Sequence, residues 1–589
     1  MGINLSKYRL FTLFGFFWLG LAWLGTVLAL FGFFYAWILA IYAILAGFGL
    51  AYLSLTNRMN FKLSWKFFSI FLLSAAATAL FSYYTTPTIF SGRDQGSFSE
   101  AAIRLSQNHQ IKFSTPASEE FFKIYGPGKA LNFPGFVYAK DGQLTTQFSL
   151  GYVSWLAIFY SFFGLYGLVI ANAVSFLIFL LSFYLLARLY LKTSSAVTAY
   201  LLLLTSFAFS WFFKFTLSEN LALALTWFGI VELVLFIKRE KRFYLWASLL
   251  ALFLLALTRL EALAFIAALF LVLLVKYRSP RLVLFEIMGK NMLLVILGII
   301  LVYIFNIYAN IAFYASSLSG LINSSSFLND SVSNPAAPFA SFEYIVRILS
   351  AYAIIYFLVL GFGGFALCIG RKRFDALVPY LILLPSFIFL FHPGISSDHP
   401  WILRRFVFAI IPVSLLYTVL FLNCLFKKRY FFNGISLLLI AINLLVFMPY
   451  LKFSENNTLL DQIEDLSHNF QSSDLVLIDR LATGDGWAMM TGPLSFLYGK
   501  QAVYFFNPSD LDKLDLKKFN QVYFIIPNDR LDLYTRSGIF ERLVAQKDFK
   551  IKTTSLNIIS GSKKELYGSP IILPASGERI TYGKVYLLK

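Results

Sequence analysis

Apolar runs of about 20 residues, the length a helix needs to cross the hydrocarbon core, recur along this chain and are separated by short basic clusters. Backbone groups in lipid must be satisfied within their own segment or a closed barrel, so runs of this length fold as membrane-spanning helices. Spans are predicted near 10–31, 33–54, 66–84, 168–190, 194–213, 219–237, 243–258, 261–276, 292–312, 345–369, 376–391, 405–425 and 431–450. The short pair 243–258 and 261–276 could also form one bent unit. Only 13% of the residues are charged and 59% are hydrophobic, against about 25% charged in a soluble domain. The expected fold is a polytopic α-helical membrane protein with about thirteen crossings.

The basic clusters carry orientation. Arg58/Lys62/Lys66, Arg188/Lys192, Lys238/Arg239/Lys241/Arg242, Lys276/Arg278/Arg281/Lys290, Arg371/Lys372/Arg373 and Lys427/Lys428/Arg429 all fall on the same side as Lys7 and Arg9. Under the positive-inside rule that side is the cytoplasm. The expectation is a multi-pass protein of the cell (plasma or inner) membrane with its C-terminal part outside. The first run is too long for a signal-peptide core and lacks a small-residue cleavage site, so it reads as a signal anchor. The net charge of +19 resides in these clusters, which argues against a nucleic-acid partner. Cys368 and Cys424 lie in apolar runs and offer neither a disulfide framework nor a thiolate metal site.

This orientation places three loops outside: 85–147, 313–343 and His392–Trp401. Loops of such length in a compact protein are usually functional or disordered. Residues 148–163 are apolar but cannot cross without inverting every later loop, so they are read as helices at the outer interface. The expected division is a transmembrane unit, 1–450, followed by a small extracytoplasmic α/β domain, 451–589. Its β-rich runs (Asp474–Asp479, Ala502–Phe506, Gln521–Ile526, Lys584–Leu588) alternate with helix-compatible stretches such as Ser509–Phe519. The turn Ala482–Gly486 could bind a ligand at the sheet's carboxyl edge. Without a phosphate-binding glycine pattern, the reading as a loop of an accessory domain is favoured over that one.

Ionisable residues at the membrane rim are costly and are candidates for function. Asp94, in Ser91-Gly92-Arg93-Asp94-Gln95-Gly96, precedes an amphipathic segment and could act as a base or bind a cation; equally it could cap that helix or pair with Arg93. Arg259 and Glu261 interrupt a long apolar stretch. Two residues apart on a helix they would not face each other, so a helix break is expected there, freeing Arg259 to hold a phosphate. Glu219 opens a span, with Lys214 one turn earlier, and ordinary helix-end electrostatics also accounts for it. Arg404 and Arg405 lie outside against the charge trend. An anionic ligand or lipid headgroups would explain them, with His399 and His392 as further donors. The two histidines and Asp398 are too sparse for a zinc site.

Taken in order, the acidic residue opening the first outer loop, Gln147-Phe148-Ser149-Leu150-Gly151-Tyr152, Ser218-Glu219 and Thr258-Arg259-Leu260-Glu261 resemble the GT-C superfamily of membrane glycosyltransferases. The resemblance is to the branch of protein O-mannosyltransferases and the lipid A aminoarabinose transferase, and spans about residues 66–450. His399-Pro400-Trp401 with Arg404-Arg405-Phe406 and Pro412 is similar to bacterial members. The resemblance implies transfer of a sugar from a polyprenyl-phosphate carrier to a glycan, lipid or protein acceptor on the outer face, usually with inversion. It implies Asp94 as the catalytic base, with Arg259, Arg404, Arg405 and Lys214 available to the donor phosphate. Arg93, Glu219, Glu261, His399 and His392 complete the candidate site. Many relatives carry two adjacent acids where this chain has Asp94-Gln95, so no cofactor is expected and a divalent metal is not indicated. A polysaccharide polymerase or glycan ligase would rely on a large late loop, whereas here the largest is early. A transporter or flippase would show internal repeats, and none is apparent.

Overall fold

The computed structural model describes residues 6–55, 65–279, 286–309, 311, 342–395, 398–556 and 571–589. Arg58, Lys62, Arg281, Ser396, Ser397 and most of the predicted loop 313–343 lie outside the described residues. The chain is a polytopic helical membrane protein with a sheet domain at its C-terminal end. Six described helices are individually long and apolar enough to cross a membrane: Lys7–Phe31, Trp65–Tyr83, Leu165–Tyr190, Ser218–Arg239, Glu286–Tyr308 and Arg429–Leu451.

Three further candidates are helix pairs broken by sharp bends, which brings the number to nine at most, against the thirteen expected. Thr193–Leu204 meets Phe207–Phe213 at 55°, Trp401–Val407 meets Ile410–Leu425 at 58°, and Phe342–Ala351 meets Ile355–Gly370 at 105°. The remaining predicted spans form the shorter apolar helices Ala36–Tyr52, Arg242–Ala256, Ala262–Tyr277 and Phe374–Leu390. At 1.5 Å per residue the last three fall short of a hydrocarbon core about 30 Å thick, whereas the helix that begins at Ala36 runs on to Leu55, 20 residues in all. In Phe374–Leu390 the cause is local: the α-helix carrying Pro379 ends at Leu383 and gives way to a 3-10 turn, Leu384–Leu390, with Pro385 at its start.

Ser218–Arg239 is the central strut, buried along nearly its whole length and packed against Leu165–Tyr190 and Arg242–Ala256. Its two ends differ in chemistry. At the C-terminal end Lys238 pairs with Asp375, Tyr190 bonds the Asp375 carbonyl and Lys276 reaches Glu240, so several predicted basic clusters meet there. At the other end, about 28 Å away by helix rise, lies Glu219. The segment expected as interfacial helices is one helix, Leu150–Phe163. Its residues Leu150–Ile158 are buried against Ser6–Phe31, Asp94–Asn108 and Leu165–Tyr190.

The first loop contains the helices Asp94–Asn108 and Pro116–Tyr125 and an antiparallel sheet of β1 (Gly128–Lys129), β2 (Phe136–Tyr138) and β3 (Leu144–Thr146). The C-terminal domain is a mixed five-stranded sheet of β4 (Leu475–Ile478), β5 (Gln501–Tyr504), β6 (Val522–Pro527), β7 (Leu543–Leu556) and β8 (Ser576–Leu588), ordered β5-β4-β6-β8-β7. β4 pairs in parallel with β5 and β6, and β8 pairs antiparallel with β6 and β7. The helix-compatible stretch Ser509–Phe519 forms two 3-10 turns, Pro508–Lys513 and Leu516–Lys518. There the Asp510 side chain bonds Asn507, Lys513 and Tyr125 instead of facing a helical neighbour.

Candidate active site

Four chain segments converge at the Glu219 end of the central helix, and each arrives at a helix terminus or break. Asp94 is the first residue of Asp94–Asn108. Glu219 is the second residue of Ser218–Arg239. Arg259 and Glu261 lie in the turn between Arg242–Ala256 and Ala262–Tyr277, and Arg404 and Arg405 open the short helix Arg404–Val407.

Irregular backbone at this depth is tolerated only where its polar groups find partners, and they do. Asn172 donates to the carbonyls of Phe213 and Phe215, and Asn220 to those of Phe212 and Phe215. Gly151 N donates to Leu257 O, and the Ser149 hydroxyl to Thr258 O, so the 147–152 motif is seated on the broken turn. A Cβ at Gly151 would stand 2.6 Å from Thr258 Oγ1 and 2.9 Å from Leu257 O.

The charged side chains form one alternating chain. Arg404 Nη2 donates to Asp94 Oδ2 at 2.6 Å, and Arg404 Nε lies 3.2 Å from Glu219 Oε1. The same Glu219 oxygen is 2.7 Å from Arg259 Nη1. Arg259 Nη2 donates to Glu261 Oε1 at 2.7 Å, and Arg405 Nη1 donates to that oxygen at 3.2 Å. Three carboxylates thus face three guanidinium groups and their formal charges cancel. The interior of the network is dry, with the Glu219 and Arg259 side chains 1% and 6% exposed, whereas Asp94 at its edge is 39% exposed. A buried charge survives only when paired, which accounts for the network's balance.

The pairing is not saturated. Glu219 Oε1 lies within ion-pair distance of two arginines but off the hydrogen-bond direction of both, and Nε of Arg259, Arg404 and Arg405 is buried without an acceptor. Orphaned guanidinium donors in a neutral cluster suit an oxyanion, whose several oxygens a planar donor fork can engage together.

Some predicted roles are redistributed. Asp94 does not pair with Arg93 and is not the helix cap, since Arg93 occupies the cap position. Arg93 lies 3.7 Å from Asp398 and stacks on Trp401 and Trp487 at 4.6 and 4.8 Å. Arg259 and Glu261 do form a local pair, because the break releases them from the helical geometry that would keep them apart. Lys214 lies apart from the three arginines: its ammonium is taken up by the carbonyls of Tyr450, Leu451 and Phe453 at the end of Arg429–Leu451. His399 is buried with Nδ1 3.1 Å from the Tyr352 hydroxyl, and His392 is exposed; neither contacts the three arginines.

The turn bearing Asp94 is held from two sides. Thr216 Oγ1 donates to Gln95 O, and Met489 N donates to Ser91 O, bringing the C-terminal domain onto the turn. Gly92, at φ +118°, lies where a Cβ would meet Gly486 O at 2.9 Å. The sequence singled out 482–486 but carried no sign that Trp487, Glu455 or Arg579 would come near Asp94's turn. Those residues are hundreds of positions away along the chain.

No protein-family model matches the chain, and no curated protein matches it in sequence. Among solved structures, it is similar to the apo form of the Archaeoglobus fulgidus oligosaccharyltransferase, with 14% identity, TM-score 0.49, and coverage of 81% of this chain and 71% of that one. It is similar to ArnT from Cupriavidus metallidurans bound to undecaprenyl phosphate, with 11% identity, TM-score 0.49, and coverage of 79% and 94%. A third is AglB from Archaeoglobus fulgidus in complex with an inhibitory peptide and a dolichol-phosphate, with 12% identity, TM-score 0.49, and coverage of 80% and 70%.

Proposed function

We propose that this protein is a GT-C-type glycosyltransferase that moves a sugar from a polyprenyl-phosphate carrier to an acceptor on the extracytoplasmic face, with inversion. The observation that carries the reading is the unsaturated arginine cluster beside one partly exposed carboxylate, Asp94. In the proposed step the acceptor hydroxyl oxygen attacks the anomeric carbon. The bond from that carbon to the phosphate oxygen breaks, and its electron pair leaves with the lipid phosphate. The hydroxyl proton passes to Asp94, a general-base role.

The charge arithmetic supports this. The phosphate gains negative charge as it leaves, so its transition state is favoured by fixed positive groups in a site of low dielectric. Arg404 joins the two halves of the reaction. As the phosphate draws Arg404 to itself, Asp94 loses its ion-pair partner and becomes the better proton acceptor. Arg259 and Arg405, held by Glu219 and Glu261, complete the phosphate cradle. Glu219 keeps two arginines charged and oriented without being exposed itself.

The test is to incubate the purified protein with radiolabelled polyprenyl-phosphate sugars and membrane extract, and to follow label from lipid to product. The reading expects label to move, with the anomeric configuration inverted. Label that stays on the lipid across the donor panel contradicts it. Arg404→Ala and Arg259→Ala are expected to weaken donor binding by tenfold or more, about 1.4 kcal/mol or greater, read by competition with the free lipid phosphate. Unchanged affinity in both removes them from the phosphate site.

A further inference from the structure

A cavity of about 570 Å3 lies apart from the three arginines of the network. It opens between the turn preceding helix Asp94–Asn108 and the C-terminal domain. Arg93 and Gln95, which flank Asp94 in sequence, lie on one wall, and Asp485, Trp487 and Glu578 on the other. Asp398 and Glu455 close the side nearer the helical bundle.

We propose that this cavity is the acceptor site, and that it takes a glycan carrying no phosphate or carboxylate of its own. The proposal rests on the transferase reading above and names the substrate class of that site. Four carboxylates and two guanidinium groups line the walls, with amide and hydroxyl side chains between them. Planar polar groups of this kind bind sugar hydroxyls, and both lining guanidinium groups already face carboxylates, Arg93 with Asp398 and Arg579 with Asp529, which leaves little to hold an anionic ligand. Trp487 is 46% exposed and is held by Arg93 at 4.8 Å and Arg480 at 5.4 Å. A rigid, half-open indole is suited to the apolar face of a sugar ring. The volume lies within the range of ligand pockets, roughly 300–1,000 Å3, and leaves space for more than one ring.

Desolvation pushes the Glu455 carboxyl up to about 7, opposed by Arg93 and reinforced by Asp485. Glu455 can therefore donate as well as accept a hydrogen bond near neutral pH, which a hydroxyl-rich ligand can use. Arg93 and Gln95, the sequence neighbours of Asp94, both line the cavity, so an acceptor held there lies beside the turn that carries the proposed base. The C-terminal domain accordingly supplies acceptor selection, and the helical bundle supplies donor binding.

The experiment is a glycan array probed with the full-length protein in lipid nanodiscs, comparing wild type, Trp487→Ala, Glu578→Gln and Asp94→Asn, with a Ser/Thr peptide array in parallel. Wild type and Asp94→Asn are expected to bind neutral or amino-bearing glycans alike and to ignore uronic-acid and phosphorylated ones. Trp487→Ala is expected to lose about tenfold in affinity or more. Glu578→Gln, on an exposed strand position, should weaken binding without altering the melting temperature. Absence of glycan binding by wild type, binding unaffected by Trp487→Ala and Glu578→Gln, or preference for the peptide array overturns the proposal. Binding needs no turnover, so glycan capture by a protein that transfers no sugar would sink the transferase reading and leave the cavity assignment standing.

Discussion

Glu219 shows how much of the site depends on a single buried charge. Its carboxylate is 1% exposed and stands between Arg259 and Arg404. Glu219→Gln keeps the shape but leaves two buried guanidinium groups short of a counter-charge. Removing one partner from a buried pair costs about 3–5 kcal/mol, so the variant is expected to melt well below the parent in detergent and to bind donor poorly. A melting temperature equal to the parent's would mean that the network is more hydrated than its burial implies. The candidates Asp94, Arg259, Arg404 and Glu219 were each legible in the sequence, because charge is expensive at a membrane rim. Their pairings were not. Asp94 and Arg404 are 310 residues apart, and only the fold brings them to 2.6 Å. Lys214 shows the converse: the same rule flagged it, yet its charge closes the end of a helix. Glu232 also lies inside an apolar helix, and the structure gives it an interhelical partner, Thr12, at 3.0 Å instead of a place in the site.

Helix Asp94–Asn108 is the element that couples the Asp94 turn to the C-terminal domain. Gly96 packs so closely that a Cβ would fall 1.7 Å from Phe90 O, so Gly96→Ala is expected to displace the turn and lower kcat more than it raises KM. A kinetic profile matching wild type would show that the turn tolerates the shift.

One turn later, Glu100 is buried and accepts from the Ser91 hydroxyl at 2.6 Å, and Thr491 of the C-terminal domain donates to that hydroxyl. Desolvation pushes this carboxyl from its ordinary 4.5 up to about 8, the Ser91 bond opposing it. The folded protein therefore holds one proton more than the unfolded chain between about pH 4.5 and 8, and its stability falls as pH rises through that window. Glu100→Gln carries no such proton. Its melting-temperature advantage over the parent should grow from about pH 5 to about pH 8 and then level off; a pH-independent difference would contradict the assignment.

At this scale the sequence revealed elements whose pattern was strong. β4 and β6 read as short apolar runs, whereas β7 was missed. It is an edge strand whose Lys547, Asp548 and Lys550 alternate with few apolar residues, so its pairing with β8, not its composition, makes it a strand. The bends had a similar fate, because a helix break driven by tertiary partners leaves little trace in hydropathy.

The molecule as a whole has two chemically distinct ends joined by a buried helical core. The basic end was legible because many lysines and arginines obey one simple rule. The opposite end was legible only as a short roll of exceptions to it, and of the C-terminal domain's contribution only the turn Ala482–Gly486 was legible. That domain reaches the Asp94 turn through Met489, Thr491 and Trp487, contacts that depend on how the sheet sits on the bundle.

In the proposed mechanism Asp94 takes the acceptor's proton while the arginines hold the donor phosphate. The most direct measurement is sugar transfer by Asp94→Asn in lipid nanodiscs, alongside its affinity for the polyprenyl-phosphate donor. Transfer is expected to fall by at least about 100-fold, the lower range of general-base contributions, with donor affinity equal to or tighter than the parent's because Arg404 is released. Near-normal transfer by Asp94→Asn would contradict it.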